Sequence, residues 1–460
     1  MPDTTPNTPP PSPFKAYDVR GQIGLNVDAD FAHRLGRAAA HVTGARRAVL
    51  GHDARATSPA YAEALARGLA EAGSAVQTLG LCGTEEVYFG TAHLDADLGI
   101  MVTASHNPIG DNGFKLVGRG AATLEDVVFR QVEAATLAGE GAGSSGGSVA
   151  PVDLRDAYVS HLLSFIDAAS LPPLSLVVNA GNGAAGPTFD ALDAALRSAG
   201  AGLSITRIHH DPDPAFPHGI PNPLLPENHA ATAEPVLAAG ADLGVAWDGD
   251  FDRCFFFDHT GAFIPGEYIV GLLAQATLDR VPGARIVHDP RVQWNTQALV
   301  AEMGGEAVAS RTGHALIKAK MRAVDAAYGG EMSAHHYFRD FLYCDSGMVP
   351  LLLILSWMGK TGQSLEDLVS EMRDSFPSSG EINFRVEDPG ALLAEIERDY
   401  ASGASIDRLD GLSLAYADWR FNLRRSNTEP LVRLNVETRG DRALLDAKVA
   451  ALSARIAGAA

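Results

Sequence analysis

Residues 98–102, Leu-Gly-Ile-Met-Val, form a short apolar run that stops abruptly at Thr103-Ala104-Ser105-His106-Asn107-Pro108. An unbroken apolar run of this length reads as a buried strand, the kind found in parallel sheets covered by helices. Pro108 forbids a simple helical continuation. Ser105 therefore lies on a loop at the carboxyl end of a strand, where open α/β sheets hold their ligands. A hydroxyl beside a histidine serves as a nucleophile or a phosphoryl store. The same residues also fit an ST-turn that merely satisfies loop backbone.

The flanking sequence sets this strand in a repeating context. A helical pattern over 31–42, a strand at 48–50, a helix over 58–72 opened by Ser58-Pro59 and closed by Gly73, and a strand at 75–79 precede it. Strand, helix and strand in succession predict a largely parallel sheet. A second unit follows with a helix at 154–165, a strand at 174–179 and a tight turn at Gly181-Asn182-Gly183. It continues through a helix around 189–196 and a proline-dense, irregular segment at 211–226. Its strand at 243–247 runs into Asp248-Gly249-Asp250-Phe251-Asp252-Arg253 and a further strand at 254–257. A third unit has helices at 268–278, 315–324, 351–358 and 365–372, a strand at 285–288, and a loop-like stretch at 328–336. From Gly380 the texture changes to strands at 382–386, 412–416, 419–423 and 431–437 with helices at 392–400 and 443–457. The expected architecture is α/β: three similar mixed or parallel α/β domains plus a C-terminal α+β domain around a central cleft. The expected divisions are a disordered tail over 1–13, then domains over 14–152, 153–258, 259–375 and 376–460, with the Gly/Ser-rich stretch 139–148 as linker or exposed loop.

A formal charge of −20 argues against a general nucleic-acid or anionic-membrane partner, though local arginines leave room for an anionic small substrate. Cys82, Cys254 and Cys344 lie far apart, with neither disulfide nor zinc spacing. The longest apolar run, around 348–358, is too short to span a bilayer and contains Pro350. The amino terminus shows no secretory pattern, so a cytoplasmic setting is expected.

Several stretches carry chemistry. In near-extended backbone Asp248, Asp250 and Asp252 would point the same way, repelling one another unless a cation lies between them. Hard oxygen donors of this kind suit Mg²⁺, and no EF-hand loop is present to suggest Ca²⁺. A solvated acidic loop is the plainer alternative. Arg424, Ser426, Asn427 and Thr428 form either a phosphate site or a polar hairpin tip. Glu331 and Ser333 are placed to bond a polyol, with His335 beside them for a proton near neutral pH. Lys115, His314 and the Tyr17/Arg20 pair read equally well as solvated or structural side chains.

Taken together these stretches resemble the α-D-phosphohexomutase family. The matches are Thr-Ala-Ser-His-Asn-Pro at 103–108, Asp-Gly-Asp-Phe-Asp-Arg at 248–253, Gly-Glu-Met-Ser-Ala-His at 330–335 and Arg-Arg-Ser-Asn-Thr-Glu-Pro at 424–430, in the family's order. The Gly-Glu-Met-Ser form resembles the mannose/glucose branch, and His288-Asp289-Pro290-Arg291 with Trp294-Asn295-Thr296 is similar to members that feed GDP-mannose synthesis. The resemblance implies interconversion of a hexose 6-phosphate and 1-phosphate, with hexose 1,6-bisphosphate as intermediate and activator. Ser105 would be the phosphoserine, its loop shaped by His106 and Asn107. Asp248, Asp250 and Asp252 would hold Mg²⁺ together with a phosphoserine oxygen. Glu331 and Ser333 would bind the sugar's 3- and 4-hydroxyls. Arg424, Ser426, Asn427 and Thr428 would clamp the phosphate that is not transferred. Tyr17, Arg20, Lys115, His314 and His335 match positions around the reacting centre, with Lys115, Arg20 and His335 as candidate proton handlers. The partner is then a phosphohexose, and a monomer or homodimer is expected. Two departures stand out: His52 where the family's loop usually has Arg, and Ala334 where Gly is commoner.

Overall fold

The computed structural model describes residues 11–141, 146–425 and 431–458. Four sheets follow one another along the chain. The first is six-stranded and is built on Arg47–His52, with Ala75–Leu81 and Leu98–Val102 parallel to it on either side. Asp111–Gly118 then returns antiparallel beside Leu98–Val102, and Val19–Gln22 pairs with its far edge. The second sheet repeats this core with Ser175–Asn179, Ser204–Ile208, Leu243–Trp247 and the antiparallel Cys254–Asp258. The third repeats it with Arg285–His288, Glu306–Ala309, Tyr328–Gly330 and the antiparallel His336–Phe338. In each, the spatial order is fourth, third, first, second strand. The fourth sheet, over Ile382–Arg385, Ser405–Asp407, Leu412–Ala415, Trp419–Arg425 and Leu431–Thr438, is antiparallel throughout, packed under the helices Pro389–Tyr400 and Arg442–Ala457.

The threefold repetition decides where chemistry sits. In every α/β unit the hairpin between the third and fourth strands carries one of the singled-out motifs: Ser105, the Asp248–Asp252 stretch, or Glu331 to His335. The apolar strands explain the burial of these loops, since Leu98–Val102, Leu243–Trp247 and Cys254–Asp258 are buried at every position. One large core cluster runs from Tyr88 through Trp247 to Met372, so the second and third units share a hydrophobic interior that also takes in Tyr88 and Phe89 of the first. The last unit has a core of its own around Phe421. It is docked on the third through buried polar groups. Glu437 accepts the backbone amides of Gln293 and Trp294 at the start of the helix Trp294–Glu302, each at 3.0 Å. Arg420 donates to the carbonyls of Pro290 and Arg291 at 2.8 and 3.0 Å.

Four expectations need correction. Residues 11–13, assigned to the tail, are tied into the first unit, with Arg20 N donating to Pro13 O at 2.8 Å. The stretch expected as linker ends in a strand, Ser148–Pro151, which pairs in parallel with Ala75–Leu81. Tyr328–Gly330, read as loop-like, is a strand paired with Arg285–His288 and His336–Phe338, and glycine stands at 330 because a Cβ there would fall 2.6 Å from the Tyr328 hydroxyl and 2.7 Å from Val270. The acidic stretch is a turn rather than extended, with Phe251 N donating to Asp248 O at 3.1 Å and Phe251 at φ 42°. Among the described residues, no helix is long and apolar enough to cross a membrane.

Candidate active site

Ser105 sits in the left-handed region, at φ 49°, a conformation an L-residue adopts only where its surroundings over-determine it. The surroundings are visible. Arg55, 2% exposed, donates to four carbonyls of the loop: Ser105 and Asn107 through Nη2, and Pro108 and Asp111 through Nη1. Ser105 N donates to Thr103 Oγ1 at 2.8 Å, and Arg20 Nη1 donates to Asn107 Oδ1 at 2.6 Å. His52 Nδ1 is engaged with the neighbouring carbonyl of Asp53 at 2.9 Å.

The second hairpin meets this loop directly. Ser105 Oγ donates to Asp248 Oδ2 at 2.7 Å and lies 3.0 Å from His106 Nδ1. Arg253 also donates to Asp248 Oδ2, through Nε at 3.0 Å and Nη2 at 2.8 Å. The Arg253 charge, helped by burial, holds the His106 imidazole well below its ordinary pKa, so the ring is neutral. Asp248, Asp250 and Asp252 are all buried, and one oxygen from each lies within 4.8 Å of the others. Lys115 Nζ donates to Asp250 Oδ2 at 2.6 Å and to Asp252. Burial works against its ammonium form, but these two carboxylates more than offset that and keep Lys115 charged. Thr84 supports the same turn, its hydroxyl donating to Asp250 Oδ2 and its amide to Asp250 O. Backbone approaches from two other units leave no room for side chains: a Cβ at Gly83 would fall 2.2 Å from the Phe251 ring, and one at Gly347 2.4 Å from Phe251 O.

Oδ1 of Asp250 and Oδ1 of Asp252 are buried with no hydrogen-bond partner among the described residues. Burial and the Asp250 charge push the Asp252 carboxyl up, to about 6. Buried carboxylate oxygens without a partner are costly unless a cation completes them, and the three clustered aspartates are an all-carboxylate donor set that fits Mg²⁺.

The third hairpin closes the arrangement. Arg253 and His335 form a backbone bridge between the second and third units. His335 Nδ1 lies 2.9 Å from Asp345 Oδ2, and Lys318 Nζ holds the other oxygen of that carboxylate at 2.6 Å. Burial opposes the imidazolium, but the bond to Asp345 and the nearby Asp252 charge outweigh it and raise the His335 pKa. Ala334 takes φ 70°, the conformation a glycine would adopt without strain. Glu331 Oε2 accepts from Tyr337 OH at 2.6 Å and Oε1 from Gly313 N at 2.9 Å. Ser333 Oγ lies 3.3 Å from Arg291 Nη2, itself paired with Asp289 at 2.8 Å. Tyr17 and His314 meet edge to face, centroids 6.0 Å apart, so the first and third units touch there. Burial and the Lys318 charge hold His314 below its ordinary pKa.

Arg424, from the last sheet, donates to Glu381 Oε2 at 3.0 Å, and Arg291 Nη1 lies 3.5 Å from the same oxygen. Arg424 is thereby linked through Glu381 and Arg291 to Ser333. Ser426, Asn427 and Thr428 lie outside the described residues. The structure thus forms two linked groups. One holds Ser105, the three aspartates, Lys115, Arg20 and His335; the other holds Glu331, Ser333 and Arg424. Arg291 entered the sequence analysis only within the 288–291 motif, with no role given, and Arg55, Thr84, Lys318, Asp345 and Glu381 had no role there either. Only Arg55 and Arg291 carried a local signal, each two residues after an aspartate at the end of a central strand.

Comparison with known proteins agrees with this geometry. Residues 12–141, 156–261 and 265–376 match alpha/beta/alpha domains I, II and III of phosphoglucomutase/phosphomannomutase, and 381–454 match its C-terminal domain. A phosphomannomutase of Salmonella montevideo is 54% identical over 95% of this chain and 96% of its own. A protein of Xanthomonas campestris named "Phosphohexose mutases" is 52% identical over 97% and 99%. The crystal structure of a phosphoglucomutase/phosphomannomutase family protein from Burkholderia thailandensis superposes with a TM-score of 0.86 at 33% identity, covering 97% of each chain. With four consecutive domain matches and relatives of this identity over nearly the whole length, the chain belongs to the phosphoglucomutase/phosphomannomutase family, the α-D-phosphohexomutases.

Proposed function

We propose that this phosphohexomutase interconverts mannose 6-phosphate and mannose 1-phosphate through a phosphoserine at Ser105 and a hexose 1,6-bisphosphate intermediate. The observation that carries the reading is the Ser105 hydroxyl 2.7 Å from Asp248, inside a buried set of three aspartates, Lys115 and Arg253. Asp248, Asp250 and Asp252, with an oxygen on Ser105, would hold Mg²⁺, which when bound supplies positive charge beside the serine oxygen.

The chain's own groups do the rest. Phosphoserine 105 donates its phosphoryl group to the sugar's free hydroxyl, and the serine oxygen leaves with the bonding pair. Lys115 and Arg253 sit where that charge develops. The proton lost by the sugar hydroxyl ends on the departing serine oxygen: among His335, Lys115 and Arg20, the group that relays it gives its own proton to that oxygen and takes the hydroxyl proton in its place, with Asp345 restoring the imidazolium at His335. Glu331 and Ser333 hold sugar hydroxyls, while Tyr17 and His314 bracket the cleft between the first and third units. Arg424, Ser426, Asn427 and Thr428 clamp the phosphate at rest. The bisphosphate then turns end for end, and Ser105 takes back the other phosphoryl group. Setting the clamp on a domain with a core of its own, docked on the third unit through Arg420 and Glu437, favours such a turn.

Peptide mapping of the purified protein should find one phosphate, on Ser105. Turnover of mannose 6-phosphate should depend on added bisphosphate and release no free phosphate. Steady phosphate release without a bisphosphate requirement would make the protein a phosphatase instead. The relative named for phosphohexose mutases in general favours a second reading, in which glucose 6-phosphate is an equal substrate. Comparing kcat/KM for the two hexose phosphates decides between them.

A further inference from the structure

Arg424 and Arg433 stand directly opposite each other on the paired strands Trp419–Arg425 and Leu431–Thr438. Like charges in that position repel and weaken a sheet unless an anion lies between them. The anion is Glu381, whose Oε2 accepts from Arg424 at 3.0 Å and whose Oε1 accepts from Arg433 at 3.1 Å. Arg291 approaches Glu381 from the third unit, at 3.5 Å, but already has a carboxylate of its own in Asp289 at 2.8 Å. Among the described residues Glu381 is the only carboxylate that pairs with Arg424 or Arg433. Burial works to raise its pKa, and the three guanidiniums overcome this and hold it below the usual carboxylate range.

We infer that Glu381 is an internal counter-ligand of the phosphate clamp: it occupies Arg424 and Arg433 while no phosphate is bound, yields them to an arriving phosphate, and takes them back when the bisphosphate lets go to turn. The inference rests on the reading of Arg424 as part of that clamp. Its physical basis is competition. A phosphate dianion carries more charge and more acceptor oxygens than a carboxylate and wins the guanidiniums when present. Two arginines with no competing anion would hold each end of the bisphosphate too firmly for rapid exchange. A carboxylate already in contact lowers the cost of release, because the arginines are never left unpaired. The approach of Arg291 to Glu381 spans the third and fourth units, so Glu381 also keeps the clamp facing the sugar loop between visits.

Inorganic phosphate, used as a competitive inhibitor of the full-length enzyme, tests this. Glu381→Gln should tighten phosphate inhibition by about tenfold and lower KM and kcat together, as expected when binding strengthens and release slows. Unchanged or weakened inhibition, with KM raised, would overturn the inference and make Glu381 a strut that merely aligns the arginines. Glu381→Asp keeps the charge at shorter reach and should fall between the two; weaker inhibition than in the parent enzyme would count against the inference even if the Gln variant folds poorly. Arg424→Ala separates this from the reading beneath it. That variant should weaken phosphate inhibition, and if it does not, the clamp assignment fails rather than the role of Glu381.

Discussion

The hydroxyl of Ser105 and the carboxylate of Asp248 are 143 residues apart in sequence and 2.7 Å apart in space, each at the tip of the same hairpin in a different α/β unit. Neither unit holds both halves of the proposed reacting centre, so the geometry of the serine loop and of the acidic turn must be set independently and then matched. Four variants or conditions examine how that match is maintained.

Arg55 is the brace of the serine loop. Its guanidinium bonds four loop carbonyls from a buried position, and a lysine ammonium cannot reach all of them. Arg55→Lys should lower kcat by about 100-fold, the size expected when a reacting group is misplaced by an ångström. KM should change much less, because the residues proposed to bind the sugar and the distant phosphate lie in other units. Steady-state kinetics with circular dichroism as a fold control checks this.

Mg²⁺ should stabilise the protein as well as activate it. The orphaned oxygens of Asp250 and Asp252 leave buried negative charge that a bound cation would offset. At a free concentration about 100 times the dissociation constant, linkage gives roughly 2.7 kcal/mol. Thermal melts should rise on adding Mg²⁺ and fall with a chelator, in step with turnover. In Asp250→Asn the melt should respond much less.

Ala334 should be improvable. Its φ of 70° costs a non-glycine residue on the order of 1 kcal/mol. Ala334→Gly relieves that strain but adds freedom to the unfolded chain, so a net gain of about 0.5 kcal/mol is expected in urea unfolding. Stability that falls by a comparable amount would show that the methyl group contributes packing that outweighs the strain.

Acid should weaken the fold through His336. This residue is fully buried, lies 2.8 Å from Tyr328 OH, and has its pKa pushed down to about 3 by burial and by the nearby His335. Between that value and the ordinary one near 6.5, the unfolded chain binds a proton that the folded chain refuses. Stability is therefore complete above about pH 6.5 and declines as pH falls through the window, by up to about 2 kcal/mol at pH 5. Urea unfolding at pH 7 and pH 5 should show this loss, and His336→Gln should remove that share of it.

Much of this could be read from sequence where one local cause dominates. Leu98 to Val102 and Leu243 to Trp247 are strands because nothing but burial suits them, and Pro108 bars a helix beyond the first without help from afar. Local reading failed where a distant partner decides. Gly329 and Gly330 look like a turn, yet they form a strand because Met321, Ile317 and Val270 crowd the space where side chains would stand. The Asp248 to Asp252 alternation suggested an extended strand. The structure bends it into a turn, because Gly83 and Gly347 receive Phe251 from either side. Lys318 and Glu381 carry no motif at all, and Arg55 only the spacing from Asp53. Their meaning lies in carbonyls and charges dozens of residues away.

The repeated hairpin has a consequence for the life of the chain as it is made. A ribosome releases the serine loop first, the acidic turn next and the Glu331–His335 loop third, and on the proposed mechanism each fragment on its own lacks part of the reacting centre. If that mechanism holds, a partly folded chain cannot pass a phosphoryl group to water, and competence to react arrives only with the completed interior.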